Sequence, residues 1–274
     1  MTLKTALDQG TELLERGHIS APRLTAEVLL SHALGCERSY LYGHPERELR
    51  EVEWIHYGRY LHERLEGKPT QYITKRQEFH GREFRVTPDV LIPRPETEFV
   101  VEIARSVGQE AQRIVDVGCG SGAIAVTLAL ETGAWVCGAD ISDAALRVAA
   151  DNASRLGAAV QFVCSDLLSA VADRSIDLVV SNPPYVPLSD KAGLQREVRD
   201  YEPHAALFSG PTGFEIYERL LADAERVLRP GGWLVVELGY NSRDRVLAIM
   251  GTRWRETRVE PDLAGIPRVL AARI

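Results

Sequence analysis

Two patterns of apolar positions divide the chain. Over residues 1–70 the apolar residues recur at helical spacing with no strand pattern, which predicts helices near residues 2–16, 22–35 and 46–66. In the second, Ser20 is placed to cap and Pro22 to fill the first turn. Leu24, Val28, Leu29 and Ala33 fall on one stripe, and Gly35 closes the helix. The third puts Val52, Ile55, Leu61 and Leu65 inward among many charges, so residues 1–70 read as a small helical bundle with polar outer faces. Nothing in it carries catalytic chemistry. Residues 71–92 change period: QEFHGREFRVT alternates apolar and polar residues around His80-Gly81, predicting a β-hairpin linker. Pro93, Pro95, Glu96 and Glu98 then open a helix, since proline suits the first turn and carboxylates suit its positive end.

From Arg113 the pattern becomes strand, glycine-rich turn, helix, strand, and repeats. It predicts strands at 113–117, 134–139, 160–164, 176–181 and 233–238, with helices near 122–131, 143–156 and 213–228. Such alternation predicts an α/β fold for residues 93–274, a Rossmann-like doubly wound parallel sheet with helices on both faces. Ligands of such sheets collect at the carboxyl ends of the strands.

Composition narrows the class. With 45% hydrophobic and 26% charged residues among 274, disorder, collagen and coiled coil are excluded. The net charge is −7, and because residues 1–85 carry as many bases as acids, the surplus acid lies in residues 86–274. Bulk attraction to a phosphate backbone is therefore not expected, and no direct nucleic-acid binding is. No apolar run approaches the roughly 20 residues that span a bilayer, and MTLKTALDQG lacks the apolar core of a secretory signal, so a cytoplasmic location without membrane contact is expected. Cys36, Cys119, Cys137 and Cys164 form no CxxC pair and have no histidine at zinc-like spacing, which predicts free thiols and no metal site.

The segment IVDVGCGSGAIAVTLA sets Asp116 late in an apolar strand and then Gly118, Cys119, Gly120, Ser121 and Gly122 before a helix. Glycines permit the tight turn and let backbone amides approach a ligand. The spacing is GxGxG rather than the GxGxxG that meets a pyrophosphate, which favours a nucleoside ligand without phosphates. Asp140 ends the next strand, where a carboxylate can accept from both ribose hydroxyls. Asp166 ends the third, and with Leu167 pairs a polar acceptor with an apolar face suited to adenine. S-adenosylmethionine has a ribose, an adenine and a cationic sulfonium but no phosphate, and an acidic rim matches that cation.

The sharpest feature is SNPPYVP at 181–187, directly after the strand IDLVV. Pro183 and Pro184 fix their φ angles and remove two backbone donors, leaving rigid carbonyl acceptors at the strand's end. Asn182 adds a side-chain acceptor and Tyr185 a flat face. Together they describe a receptor for a planar NH2 group. An amide nitrogen is a poor nucleophile because its lone pair is delocalised. Acceptors on the Asn182 side chain and the Pro183 carbonyl would hold both N–H bonds so that the nitrogen pyramidalises toward an in-line methyl group. Asn182, Pro183 and Tyr185 are thus the candidate catalytic residues, and no metal or covalent intermediate is required.

At these residues the chain resembles methyltransferases of the NPPY group, and more closely the peptide chain release factor glutamine methyltransferases (HemK family). The resemblance runs over essentially the whole chain: RLTAEVLLSHALG, PTQYITKRQEFHGREFRV, LIPRPETE, DVGCGSGAIAVTLA, SNPPYVP, YEPHAALFSGPTGFEIY, PGGWLVVELG and DLAGIPRV. Family members commonly show glycine where Lys75-Arg76 stands here. The resemblance implies methyl transfer from S-adenosylmethionine to the glutamine amide of the Gly-Gly-Gln motif of class 1 release factors. It implies cofactor contacts from Gly118–Gly122, Asp140, Leu167 and Asn182, and glutamine contacts from Asn182, Pro183, Pro184 and Tyr185. It makes residues 1–70 a substrate-docking domain beside the methyltransferase domain. Arg94 and Glu98 fall in the LIPRPETE match, where lining the cleft and charging a helix start are both compatible roles, and Glu202 is placed either to wall the pocket or to shape a loop. A ribosomal-protein glutamine is the nearest alternative substrate. Adenine N-methylation and a non-catalytic cofactor-binding docking module are the rivals from other classes.

Overall fold

A computed structural model describes residues 1–274 and divides into two compact units, one of residues 1–76 with 195–201 and the other of residues 77–194 with 202–274. The first unit holds α1 (Leu3–Arg16), α2 (Pro22–Leu34), α3 (Arg38–Gly43), α4 (Glu51–Leu65) and α5 (Thr70–Thr74), with a further short helix at Arg196–Tyr201. Its core joins Leu3, Leu7 and Leu14 of α1 to Leu29 and Leu30 of α2 and to Tyr57 and Leu61 of α4.

The inward faces of α2 and α4 differ from the expected ones. Ser20 is not the cap: Ala21 occupies that position in the left-handed region, with no side-chain cap bond, ahead of Pro22. Leu24 is exposed, and the buried face runs through Thr25, Ala26, Leu29 and Leu30. On α4, Val52 and Ile55 are exposed while Glu53, Tyr57, Leu61 and Arg64 point inward. A hydrophobic pattern cannot reveal this face, because buried charges are tolerated only when paired in three dimensions. Glu53 meets Arg47 at 2.9 Å and Arg50 at 2.8 Å, and Arg64 pairs with Glu197. Glu27, buried on α2, is likewise held by Arg23 at 3.1 Å and Arg38 at 2.8 Å.

In the second unit the hairpin of β1 (Arg76–Phe79) and β2 (Arg82–Arg85) buries Phe79 and Phe84, edge to face with centroids 6.0 Å apart, against the sheet's helices. Then follow α6 (Glu98–Val107), β3 (Arg113–Val117), α7 (Ala123–Thr132), β4 (Trp135–Asp140), α8 (Asp143–Leu156), β5 (Val160–Cys164) and β6 (Ile176–Ser181). The short strand β7 (Val186–Pro187) leads to α9, the helix of the first unit named above. The chain continues through α10 (His204–Leu207), β8 (Phe208–Gly210), α11 (Glu215–Val227), β9 (Leu228–Glu237), α12 (Arg243–Ile249), β10 (Glu256–Pro261) and β11 (Pro267–Arg273).

The seven-stranded sheet has the order β10-β11-β9-β6-β3-β4-β5. From β9 to β5 it is parallel, as the alternation predicts. The pattern does not announce the last two strands: β11 lies antiparallel to β9, and β10 antiparallel to β11. Alternate residues feed opposite faces. Ile114, Val136, Leu178 and Val235 pack under α6 and α7, while Val115, Cys137, Val179 and Leu234 pack under α11. Strand order reverses beside β3, whose successors β4 and β5 lie on one side and β6 on the other, so the ends of β3, β4 and β6 converge on the crevice where such sheets bind ligands.

Candidate active site

The β3 strand ends in a turn whose three glycines take φ of 70° at Gly118, 52° at Gly120 and 80° at Gly122, all in the region that favours glycine. Asp140 braces this turn. Its Oδ2 accepts the Gly120 amide at 2.9 Å and its Oδ1 accepts the Ser142 amide at 2.8 Å, while the Ser142 hydroxyl caps α8. Beneath lies Asp116, fully buried, with Oδ2 accepting from the Ala125 amide at 3.0 Å and Oδ1 without a partner. Burial pushes its carboxyl up to about 7 against the lowering effect of that amide, and nearby Asp140 adds to the rise.

A cavity of about 390 Å3 opens over the turn, lined by Gly118, Gly120, Asp140, Asp166, Leu167 and Asn182, with Pro184 also in its wall. Residues far apart in sequence are thus gathered in one place. Asp166 lies two residues beyond the end of β5, half exposed, and its carboxylate meets Arg219 at 2.6 Å on the rim. Leu167 is held in the left-handed region with φ of 49°. Cys119 and Ser121 are buried under the turn and, with Gly122, lie outside the lining, so they shape the loop rather than touch its contents. Pro183 and Tyr185 also lie outside it, Pro183 buried and Tyr185 turned toward β9.

The residues present fit S-adenosylmethionine. A glycine turn of GxGxG spacing and a strand-end carboxylate at Asp140, both in the cavity wall, suit a nucleoside that carries a cation.

Asn182 is part of a network that sequence analysis missed. Its Nδ2 donates to Thr97 Oγ1 at 3.0 Å, and Thr97 Oγ1 donates to Glu237 Oε2 at 2.6 Å. The Tyr185 hydroxyl approaches the other carboxylate oxygen of Glu237 at 3.4 Å. Glu237 is buried at the end of β9, and its carboxyl is pushed up to about 7, chiefly by burial, against the hydrogen bond from Thr97 and the charge of Arg268. Burial also raises the Tyr185 phenol well above its ordinary value. Tyr185 packs over Gly239, where a Cβ would sit 2.8 Å from its ring, so that glycine leaves room for it.

The three charges in doubt are also placed. Glu202 is buried, meets Arg94 at 2.5 Å and accepts the Ile92 amide at 3.4 Å, which ties the stretch before α6 to the stretch after α9. Glu98 accepts the His80 amide at 2.8 Å and so anchors the hairpin turn rather than the cavity. Leu91, Ala206, Phe208 and Ile216 also line the cavity, and no local pattern marks them as doing so.

Residues 5–74 match the family described as PrmC N-terminal domain, and residues 97–196 the methyltransferase small domain. A release factor glutamine methyltransferase of Koribacter versatilis is 47% identical over 100% of this chain and 99% of its own. One from Bacillus subtilis is 42% identical over 91% of this chain and 90% of its own. Among solved structures, a methyltransferase from Pyrococcus furiosus superposes with a TM-score of 0.54 at 16% identity, covering 74% of this chain and 93% of its own, which shows the shared fold. With close to half of all positions identical from end to end, this chain belongs to the release factor glutamine methyltransferase family.

Proposed function

We propose that this protein transfers a methyl group from S-adenosylmethionine to the side-chain amide nitrogen of the glutamine in the Gly-Gly-Gln motif of class 1 release factors, in the cytoplasm and without binding nucleic acid. The observation that carries this reading is the state of Asn182: its NH2 is committed to Thr97, so its carbonyl oxygen is left as an acceptor in the wall of the cofactor cavity. An acceptor there recognises a donor, and the side-chain amide of glutamine offers two N–H bonds. Family membership supports the same substrate.

Bound S-adenosylmethionine supplies a methyl group activated on a sulfonium. The glycine turn with Asp140 would hold its nucleoside, and Asp166 with Leu167 would border the base. Asn182 Oδ1 and the Pro183 carbonyl would accept hydrogen bonds from the two amide N–H groups of the substrate, with Pro184 and Tyr185 beside its plane, leaving the nitrogen lone pair free for the methyl group. As the N–C bond formed, the methyl–sulfur bond would break with its electron pair left on a neutral thioether sulfur, and the positive charge growing on nitrogen would be stabilised by those two oxygens until one proton passed to water. Residues 1–70 dock the body of the factor.

The test is incubation of the protein with tritiated cofactor and, separately, a purified release factor, a ribosomal protein, and DNA or RNA. Label on the release factor that vanishes when the Gly-Gly-Gln glutamine is replaced is the expected result. Label on nucleic acid alone, or cofactor binding with no label on any of the three, would overturn it.

A further inference from the structure

An asparagine amide is nearly symmetric in shape, and reversing it would aim NH2 donors at the NH2 of a substrate amide, a repulsive pairing. Something must choose the orientation. We infer that Thr97 and Glu237 are positioning residues whose hydrogen-bonded pair fixes which end of the Asn182 amide faces the cavity. This rests on the function proposed above.

The choice follows from counting protons. A threonine hydroxyl has one proton to give and lone pairs to receive. A carboxylate can only accept, so Glu237 Oε2, 2.6 Å away, takes the Thr97 proton. Thr97 Oγ1 is then an acceptor toward its remaining neighbour, and only the Nδ2 of Asn182 can satisfy it, at 3.0 Å. The amide is locked with Oδ1 outward. Glu237 Oε1 faces the Tyr185 hydroxyl at 3.4 Å, so one carboxylate contacts both the group that orients the acceptor and the tyrosine of the same loop. All members are buried or partly buried, where water cannot compete for these bonds.

The lock depends on the charge of Glu237. Once protonated, Glu237 can donate to Thr97 Oγ1, the Thr97 proton is freed to point at Asn182, and the reversed amide becomes as well satisfied as the productive one. The groups that bear on this carboxyl are Arg268 of β11, the hydroxyls of Thr97 and Tyr185, and Glu96 beside Thr97. The Tyr217 hydroxyl of α11 instead donates to the Glu237 main-chain carbonyl at 2.8 Å. With the carboxyl pushed up to about 7, the charged form is lost as pH falls through neutrality.

The experiment measures kcat and KM for methylation of intact release factor at saturating cofactor, with Thr97→Val, Thr97→Ser and Glu237→Gln, and cofactor affinity by calorimetry. Thr97→Val keeps the side-chain shape and removes the lock, so kcat is expected to fall at least tenfold while cofactor affinity stays within threefold. Thr97→Ser is expected to restore most of kcat, which a packing role for the lost methyl group would not allow. The wild-type kcat is expected to decline below about pH 7, and Glu237→Gln to abolish that acid limb. Wild-type kcat in Thr97→Val, equal impairment in Thr97→Ser, or an unchanged acid limb in Glu237→Gln would each sink the inference while leaving the proposed function standing. Failure of the wild-type protein itself to label release factor would instead remove the function on which the inference rests.

Discussion

Lys75 takes a φ of 62° after the last turn of α5, an angle that costs a residue with a Cβ on the order of 1–2 kcal/mol. Its amide still closes the helix by donating to the Gln71 carbonyl, so the angle is imposed by the chain's path into the hairpin. Lys75→Gly is expected to raise stability by roughly 0.5–1 kcal/mol, the relief of strain less the extra freedom of unfolded glycine. Thermal melts of the two proteins check this, and an unchanged or lower midpoint would count against strain at this residue. At the same scale, the mechanism proposed above expects Asn182→Ala to cut turnover about 100-fold while cofactor affinity stays within about tenfold, because in that mechanism the lost contact acts on the reacting nitrogen. Turnover near that of the wild type would remove Asn182 from the chemistry. Asn182, Pro183, Pro184 and Tyr185 stood out in sequence as candidates because they sit side by side and combine an acceptor, two fixed φ angles and a flat face; of the four, Asn182 and Pro184 line the cavity. Thr97 and Glu237 did not stand out, since they acquire meaning only through neighbours 85 and 140 residues distant.

Among the elements, α4 shows how a helix can bury charge. Desolvation opposes ionisation of Glu53, yet the guanidinium of Arg47 and the amide and guanidinium of Arg50 outweigh it and hold its carboxyl at about 2. The sign is that of a lowered carboxyl: its stabilisation is present above the ordinary value near 4.5 and is lost as pH falls toward 2. Glu53→Gln is expected to cost roughly 2 kcal/mol at pH 7, less than breaking a fully buried pair because Arg47 and Arg50 keep contact with water. Urea unfolding at pH 7 and pH 3 tests it, with the gap between the two proteins expected to narrow at the lower pH. A gap that is absent at pH 7, or unaltered at pH 3, would assign the burial of Glu53 to packing alone. The exposed Val52 and Ile55 are the complement of this arrangement: once paired charges face inward, apolar residues on the other side of the helix are left outside.

At the scale of the molecule, two buried carboxyls in the sheet unit are raised rather than lowered. Asp116 and Glu237 are both pushed up to about 7. A folded state that holds protons more tightly than the unfolded chain gains stability on acidification, so the protein without cofactor is expected to grow more stable as pH falls from about 7 toward 4.5. Below that range the unfolded chain takes up protons at Glu53, which the folded state keeps charged, and the trend reverses. Urea midpoints measured from pH 8 to pH 5 should show the rise, and a variant carrying Asp116→Asn and Glu237→Gln should flatten it. A wild-type midpoint that rises with acidification no more than that of the double variant would mean that neither group is raised. Methyl transfer is expected to run the other way, because Glu237 must be charged to hold Asn182.

Much was written in the order of residues alone. Strands at Arg113–Val117, Val160–Cys164 and Ile176–Ser181, the glycine turn and the tetrapeptide that follows β6 all express local rules: short apolar runs between turns and helices, a φ that only glycine takes freely, a proline without an amide proton. The antiparallel strands β10 and β11, the inward face of α4 and the pair of Thr97 with Glu237 were settled only by folding. Hydrogen bonding and the burial of charge depend on distance in space, and a pattern read along the chain carries that distance only where partners are close in sequence.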